Sequence, residues 1–214
     1  MNVLDFGTEV IALSALGVLA PGPLFFANLA YGIRADGWSG VKVAYGHTVV
    51  ELPLIILLAA GLFTFDVAKR YADIIAFVGG IAILAFASLQ IASIVKRKGT
   101  HNVPHIITGS EGPFFVGVAL TALNPFFLLW WFTVGLKLID DSRAFGIGTG
   151  VVILFALHIW MDYVWLASTA YFASRVDFLL KSKYYPILGL VLAAVLVYYG
   201  ISFLLQAASS QNQP

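Results

Sequence analysis

Ala20-Pro21-Gly22-Pro23-Leu24 stands in the middle of the first long apolar segment of the chain. Each proline deletes a backbone donor and clashes with the turn before it, and Gly22 adds flexibility. An unpaired backbone group is costly in hydrocarbon, so such an interruption must be buried in protein or line a wet cavity. Asn124-Pro125 makes a second interruption at the centre of a later apolar segment. After each break a proline, Pro23 or Pro125, takes the first position of a restarted helix, where its missing donor costs nothing. Asn124 can cap the second restart. Each restarted half-helix then aims free N–H groups and a positive dipole end at the membrane centre, an arrangement that suits a carboxylate. Pro21, Gly22, Pro23, Asn124 and Pro125 are therefore read as two halves of one substrate site, against the alternative of kinks that serve packing alone.

The rest of the composition agrees with a membrane setting. The 214 residues are 60% hydrophobic and 11% charged, against roughly 25% charged in a soluble domain, and the mean hydropathy is +0.92. The net charge is +1 and no basic tract or aromatic-studded groove is present, so no nucleic-acid partner is expected. The absence of cysteine excludes disulfides, thiolate metal sites and cysteine catalysis. Met1-Asn2-Val3-Leu4-Asp5 lacks the basic start of a signal peptide, so the first apolar segment is expected to be a retained helix.

A membrane span needs about 20 mostly apolar residues. Six segments qualify: about 9–33, 40–63, 72–95, 113–136, 145–171 and 184–207. They leave no room for a soluble domain, and residues 1–214 read as a single transmembrane domain with a first repeat over 1–95, a linker over 96–111 and a second repeat over 112–207. Loops 1–2, 3–4 and 5–6 hold eight Lys and Arg (Arg34, Lys42, Lys96, Arg97, Lys98, Arg175, Lys181, Lys183); the other loops and termini hold four (Lys69, Arg70, Lys137, Arg143). The positive-inside rule then puts the basic loops in the cytoplasm and both termini outside. The expected fold is an all-α polytopic membrane protein whose six helices form two inverted three-helix repeats, with helices 1 and 4 broken near the midplane.

The two halves also share a chemical spacing. His47 and Glu51 stand one helical turn apart in the second span, as do His158 and Asp162 in the fifth. Apart from Lys42 at the very start of the second span, no Lys or Arg lies inside a span to neutralise either acid, and intramembrane acids mark a functional site by default. A charge at the bilayer centre costs ~2.5–3.5 kcal/mol, while protonating a glutamate of ordinary pKa ~4.3 at pH 7 costs ~3.7 kcal/mol. A group so balanced can exchange its proton for a cationic substrate. Glu51, Asp162, His47 and His158 are accordingly the expected ion-coupling residues, Glu51 first among them, with Glu51 and Asp162 also facing the substrate. Structural Glu51–His47 and Asp162–His158 pairs are the alternative. Two histidines and two acids could also bind a divalent metal, although helical spacing alone assigns no metal site and no cofactor. Trp130-Trp131, Tyr184-Tyr185 and Tyr198-Tyr199 read as interface belts or packing, and Asn28 and Gln90 as pathway-lining groups or ties between helices. The sequence carries no G-x-S-x-G, H-E-x-x-H or phosphate-binding glycine loop, so no enzyme is expected.

Taken together, these stretches resemble the lysine-exporter (LysE-type) translocator family of small six-helix amino-acid exporters. The resemblance rests on Pro21-Gly22-Pro23, the turn Gly32-Ile33-Arg34-Ala35-Asp36-Gly37, Gly46-His47-Thr48-Val49-Val50-Glu51-Leu52-Pro53, and Asn124-Pro125. His158, Asp162 and Val164-Trp165 look like the archaeal-type branch of that family. Phe126 departs from the pattern, standing where many relatives carry lysine. The resemblance implies an inner-membrane secondary transporter exporting an amino acid or related amine-containing solute, in exchange for protons or another coupling ion. It implies a central site at the five break residues with Glu51 and Asp162 nearby. Membrane lipid is an expected partner, and a homodimer is plausible for an exporter of few helices. A divalent-metal or other cation exporter and a channel are the alternative functions.

Overall fold

The computed structural model describes residues 2–34, 37–96, 112–175 and 185–210. The linker from residue 97 to 111, with His101 and His105, lies outside them, as do Lys181 and Lys183 of the last loop. The described residues are helical throughout, with no strand.

The first apolar segment forms two helices. α1 (Val3–Val18) starts earlier than hydropathy suggests because the Asn2 side chain accepts a hydrogen bond from Asp5 N at 2.8 Å, capping the helix. It ends where residue 20 precedes proline, since a residue before proline is pushed out of the helical region. α2 (Pro23–Arg34) restarts with proline at its first position, and the axis turns by 71° between the two. α3 (Ser39–Ala59) and α4 (Phe65–Lys96) follow, each long and apolar enough to cross a membrane.

The fourth apolar segment breaks in the same manner. α5 (Gly112–Ala122) stops before Asn124, whose backbone is extended as a pre-proline residue requires, and α6 (Pro125–Trp130) begins beyond it. The bend is 56°. α6 runs through one π-helical turn, Trp131–Gly135, into α7 (Leu136–Ser142). This helix outruns the expected limit at residue 136 because Lys137 pairs with Asp141 at 2.7 Å and with Glu9 of α1, stabilising an exposed polar turn. α8 (Ile147–Ser174) and α9 (Tyr185–Ser210) complete the chain. Among the described residues four helices are therefore long enough to span a membrane alone, and up to six spans result if each bent pair counts as one.

Glycines set the spacing around α3. A methyl group at Gly46 would overlap the Phe114 carbonyl of α5, one at Gly117 the Val43 carbonyl, and one at Gly40 the Leu166 carbonyl of α8. α3 thus lies backbone to backbone with α5 on one side and α8 on the other, the close approach that small residues permit in membranes. Asn28 donates to Leu166 O at 2.9 Å and Thr169 Oγ1 at 2.8 Å, tying α2 to α8, and Gln90 donates to Gly189 O at 3.0 Å, tying α4 to α9. Both polar residues are thus ties between helices. One apolar core gathers Phe6, Ile55, Trp131 and Leu154, and a second gathers Tyr31, Ile83, Leu120 and Phe203. The outer surface is greasy, with Val152, Phe172, Tyr198 and Leu205 all exposed, as suits contact with lipid.

Candidate functional site

The close contacts of α3 with α5 and α8 bring the two His-x-x-x-acid turns face to face. His47 and Glu51 project from α3, and His158 and Asp162 from α8, all four buried. Glu51 Oε1 is the focus. It lies 3.2 Å from His47 Nε2, 3.1 Å from His158 Nε2 and 3.2 Å from Trp131 Nε1. A carboxylate can only accept, so the ring protons belong on the two Nε2 atoms, and all three rings donate to one oxygen. The Thr121 hydroxyl then donates to His47 Nδ1 at 2.9 Å. The other oxygen, Glu51 Oε2, is buried without a hydrogen-bond partner, as is His158 Nδ1.

Asp162 is held more loosely. Its Oδ1 is 3.7 Å from His47 Nε2, beyond a hydrogen bond. Its Oδ2 is 3.3 Å from His158 Nε2 yet lacks the alignment of one. The four side chains thus form a closed ring of alternating base and acid, with Glu51 saturated on one oxygen and Asp162 open.

The π-helical turn explains Trp131. Inserting an extra residue into the helical repeat rotates the side chains that follow, a device common at functional sites. Here it lays the Trp131 ring over Gly135, where a side chain would collide with it, and delivers the indole N–H to Glu51. Trp130 stacks against His158 from the other side, 5.5 Å between ring centres. The aromatic pair is consequently part of the site, and the belt reading of Trp130-Trp131 is corrected. Tyr199 packs against the second apolar core, as the packing alternative has it. Its hydroxyl donates to Pro21 O at 2.6 Å, satisfying a carbonyl that the first helix break leaves free.

A cavity of about 560 Å³ opens onto this ring, within the size range of small-molecule sites. Pro21, Gly22, Pro23, Asn124, Glu51, Asp162, His47 and His158 all line it; Pro125 does not. Its remaining wall is largely apolar and aromatic, including Phe25, Phe126, Phe127 and Trp165, and no Lys or Arg contributes among the described residues. At the second break Asn124 Oδ1 accepts from Phe126 N at 3.0 Å, as a cap should. At the first break the α2 start has no capping side chain, and Phe26 N reaches only Gly22 O at 3.3 Å. Trp165 stacks on Phe25 with ring centres 5.6 Å apart, and its buried indole N–H has no partner. The cavity therefore offers acceptors at the ring and donors at the α2 start and Trp165.

Trp131, Thr121, Trp165 and Tyr199 are the members that sequence reasoning did not place in a site. No curated protein and no solved structure matches this chain. The helices and their apolar surface are those of a multi-pass membrane protein. The family model of the LysE type translocators matches residues 15–207, and the chain belongs to that family of transporters.

Proposed function

We propose that this protein is a secondary active transporter of the cytoplasmic membrane that exports an amino acid, or a related small amine-containing solute, in exchange for protons. One observation carries the reading: a single cavity is lined at once by both helix breaks and by the buried His–acid ring. The uncapped start of α2 and the Trp165 N–H suit the substrate carboxylate. The acids at the ring suit its ammonium group. The apolar wall suits a substrate with a hydrophobic side chain more than a second charge.

In this reading the chain crosses the membrane six times, as two inverted repeats over 1–95 and 112–207 joined by the linker 96–111, with both termini outside. The matched breaks and matched His–acid turns support it. His158, Asp162 and Val164-Trp165 support the archaeal-type branch of the family. Lipid surrounds the greasy outer face, and a homodimer completes the assembly. Coupling follows from which acid is free. Sequence favours Glu51, but its Oε1 already holds three N–H donors. Asp162, on the cavity wall with its Oδ2 unpartnered, is better placed to carry the proton inward and release it as ammonium binds. The two halves then rock to expose the cavity to the other side.

The test is uptake of radiolabelled amino acids into inside-out vesicles, with and without a pH gradient. Accumulation that needs the gradient is expected, and Asp162→Asn should keep substrate exchange while losing gradient dependence. Flux without saturation or exchange stimulation would instead indicate a channel. Unaltered coupling in Asp162→Asn would remove that residue from the mechanism.

A further inference from the structure

The His–acid ring has the makings of a metal centre. Glu51 Oε1 stands 3.2 Å from His47 Nε2 and 3.1 Å from His158 Nε2, while Asp162 offers Oδ2 to His158 Nε2 at 3.3 Å and Oδ1 to His47 Nε2 at 3.7 Å. A tetrahedral ion with metal–ligand bonds of 2.0–2.2 Å needs donor atoms about 3.3–3.6 Å apart. Neighbouring donors around the ring stand near that spacing, and the His158 ring must draw in to join the other three. His47, Glu51 and Asp162 alone bring three ligand atoms within 4.8 Å of one another.

Unsatisfied atoms point the same way. Glu51 Oε2 and Asp162 Oδ2 are buried without a hydrogen bond, and Glu51 itself is 1% exposed. With both acids ionised, both imidazoles neutral and no Lys or Arg on the wall among the described residues, the ring carries two negative charges in a low-dielectric setting. One divalent cation neutralises both. The surrounding bonds suit ligation as well. The Thr121 hydroxyl can turn from donor to acceptor, holding His47 Nδ1–H and leaving Nε2 as the ligand. Trp131 N–H anchors the Glu51 carboxylate from outside. Outer hydrogen bonds of this kind orient metal ligands.

We propose that His47, Glu51, His158 and Asp162 form a binding site for one divalent transition-metal ion of the Zn²⁺ class. Two imidazoles and two carboxylates select a borderline first-row ion. Calcium is disfavoured because it requires six to eight oxygen ligands. The site goes beyond the amino-acid reading of the cavity and stands whichever solute is exported. The ion and the ring protons on Nε2 exclude one another, because each needs the same lone pairs.

The experiment uses the full chain, without a polyhistidine tag, in lipid nanodiscs after chelator treatment. Co²⁺ is titrated by visible absorption, and Zn²⁺ by competition with a chromophoric chelator. One equivalent of Co²⁺ per chain is expected, with the intense bands of a four-coordinate site, displaced by Zn²⁺. His158→Gln and Asp162→Asn should each weaken Zn²⁺ at least about 100-fold, and Thr121→Val by about 10–100-fold at unchanged stoichiometry. No stoichiometric uptake by the wild type would overturn the proposal, and that measurement depends on no variant folding. Uptake unchanged in both His158→Gln and Asp162→Asn would overturn it too, by placing the metal elsewhere. Amino-acid counterflow in proteoliposomes made from the same protein reads the export function separately, so either can fail alone.

Discussion

Glu51 and Asp162 occupy the same position in the same His-x-x-x-acid turn on facing helices, yet their surroundings differ. Glu51 is locked by two imidazoles and the Trp131 indole. Asp162 has ring nitrogens nearby, neither of them aligned to donate, and its Oδ2 is unpartnered. The two helix breaks divide likewise. The second is closed locally, by the Asn124 side chain on its own helix. The first is closed only from a distance, by Tyr199 of α9 on the Pro21 carbonyl. Each matched pair thus has one member held in place and one left open. The open members are both on the cavity wall, where a ligand can supply the missing partner.

The comparison can be broken most directly at Glu51. Replacing it with leucine leaves three ring N–H donors without an acceptor, each costing about 1–3 kcal/mol when buried and unmet. A large fall in the melting midpoint is expected for Glu51→Leu in detergent; a midpoint near wild type would show that the carboxylate is not the anchor. Trp131→Phe removes one donor to a charged acceptor and should cost about 1.5–3 kcal/mol. The same melts report it, and rescue by Trp131→His would show that the N–H and not the ring area matters.

The breaks come next in size. Asn124→Ala removes a helix cap and should cost about 1 kcal/mol. Tyr199→Phe removes a hydrogen bond worth about 0.5–1.5 kcal/mol, but across a gap between two helices. Asn124→Ala is expected to act mainly on stability and Tyr199→Phe mainly on the rate of amino-acid exchange. Equal effects of both on both measurements would erase the distinction between a local and a remote closure. The smallest expected change belongs to Asp162→Asn, which loses no aligned hydrogen bond and should stay within about 1 kcal/mol of wild type. Its uptake should nonetheless lose dependence on the pH gradient. A melt as low as that of Glu51→Leu would mean that the second acid is an anchor after all.

Much of the architecture is legible in the chain because it follows from local chemistry. Pro23 and Pro125 cannot continue a helix from the preceding turn wherever they sit, so both breaks follow from a few neighbouring residues. The capping role of Asn124 follows from its place before proline. The His-x-x-x-acid spacing fixes a shared helical face without any knowledge of neighbours. Even the polar ties at Asn28 and Gln90 were open to a correct reading, since a buried amide in a helix needs a partner.

The sequence by itself determined where the helices stop, which faces carry the acids and that the surface is apolar. Those properties depend on backbone sterics and on periodicity over a few residues. Only the tertiary structure decided that the two acid turns share one ring, that Trp131 anchors Glu51, and that Tyr199 serves Pro21. These contacts join residues 80, 107 and 178 positions apart. They exist because Gly40, Gly46 and Gly117 let α3 approach α5 and α8 at backbone distance, and because a π-helical turn rotates one indole inward. A glycine states that close approach is allowed; which helix comes close is settled by the packing of all of them together.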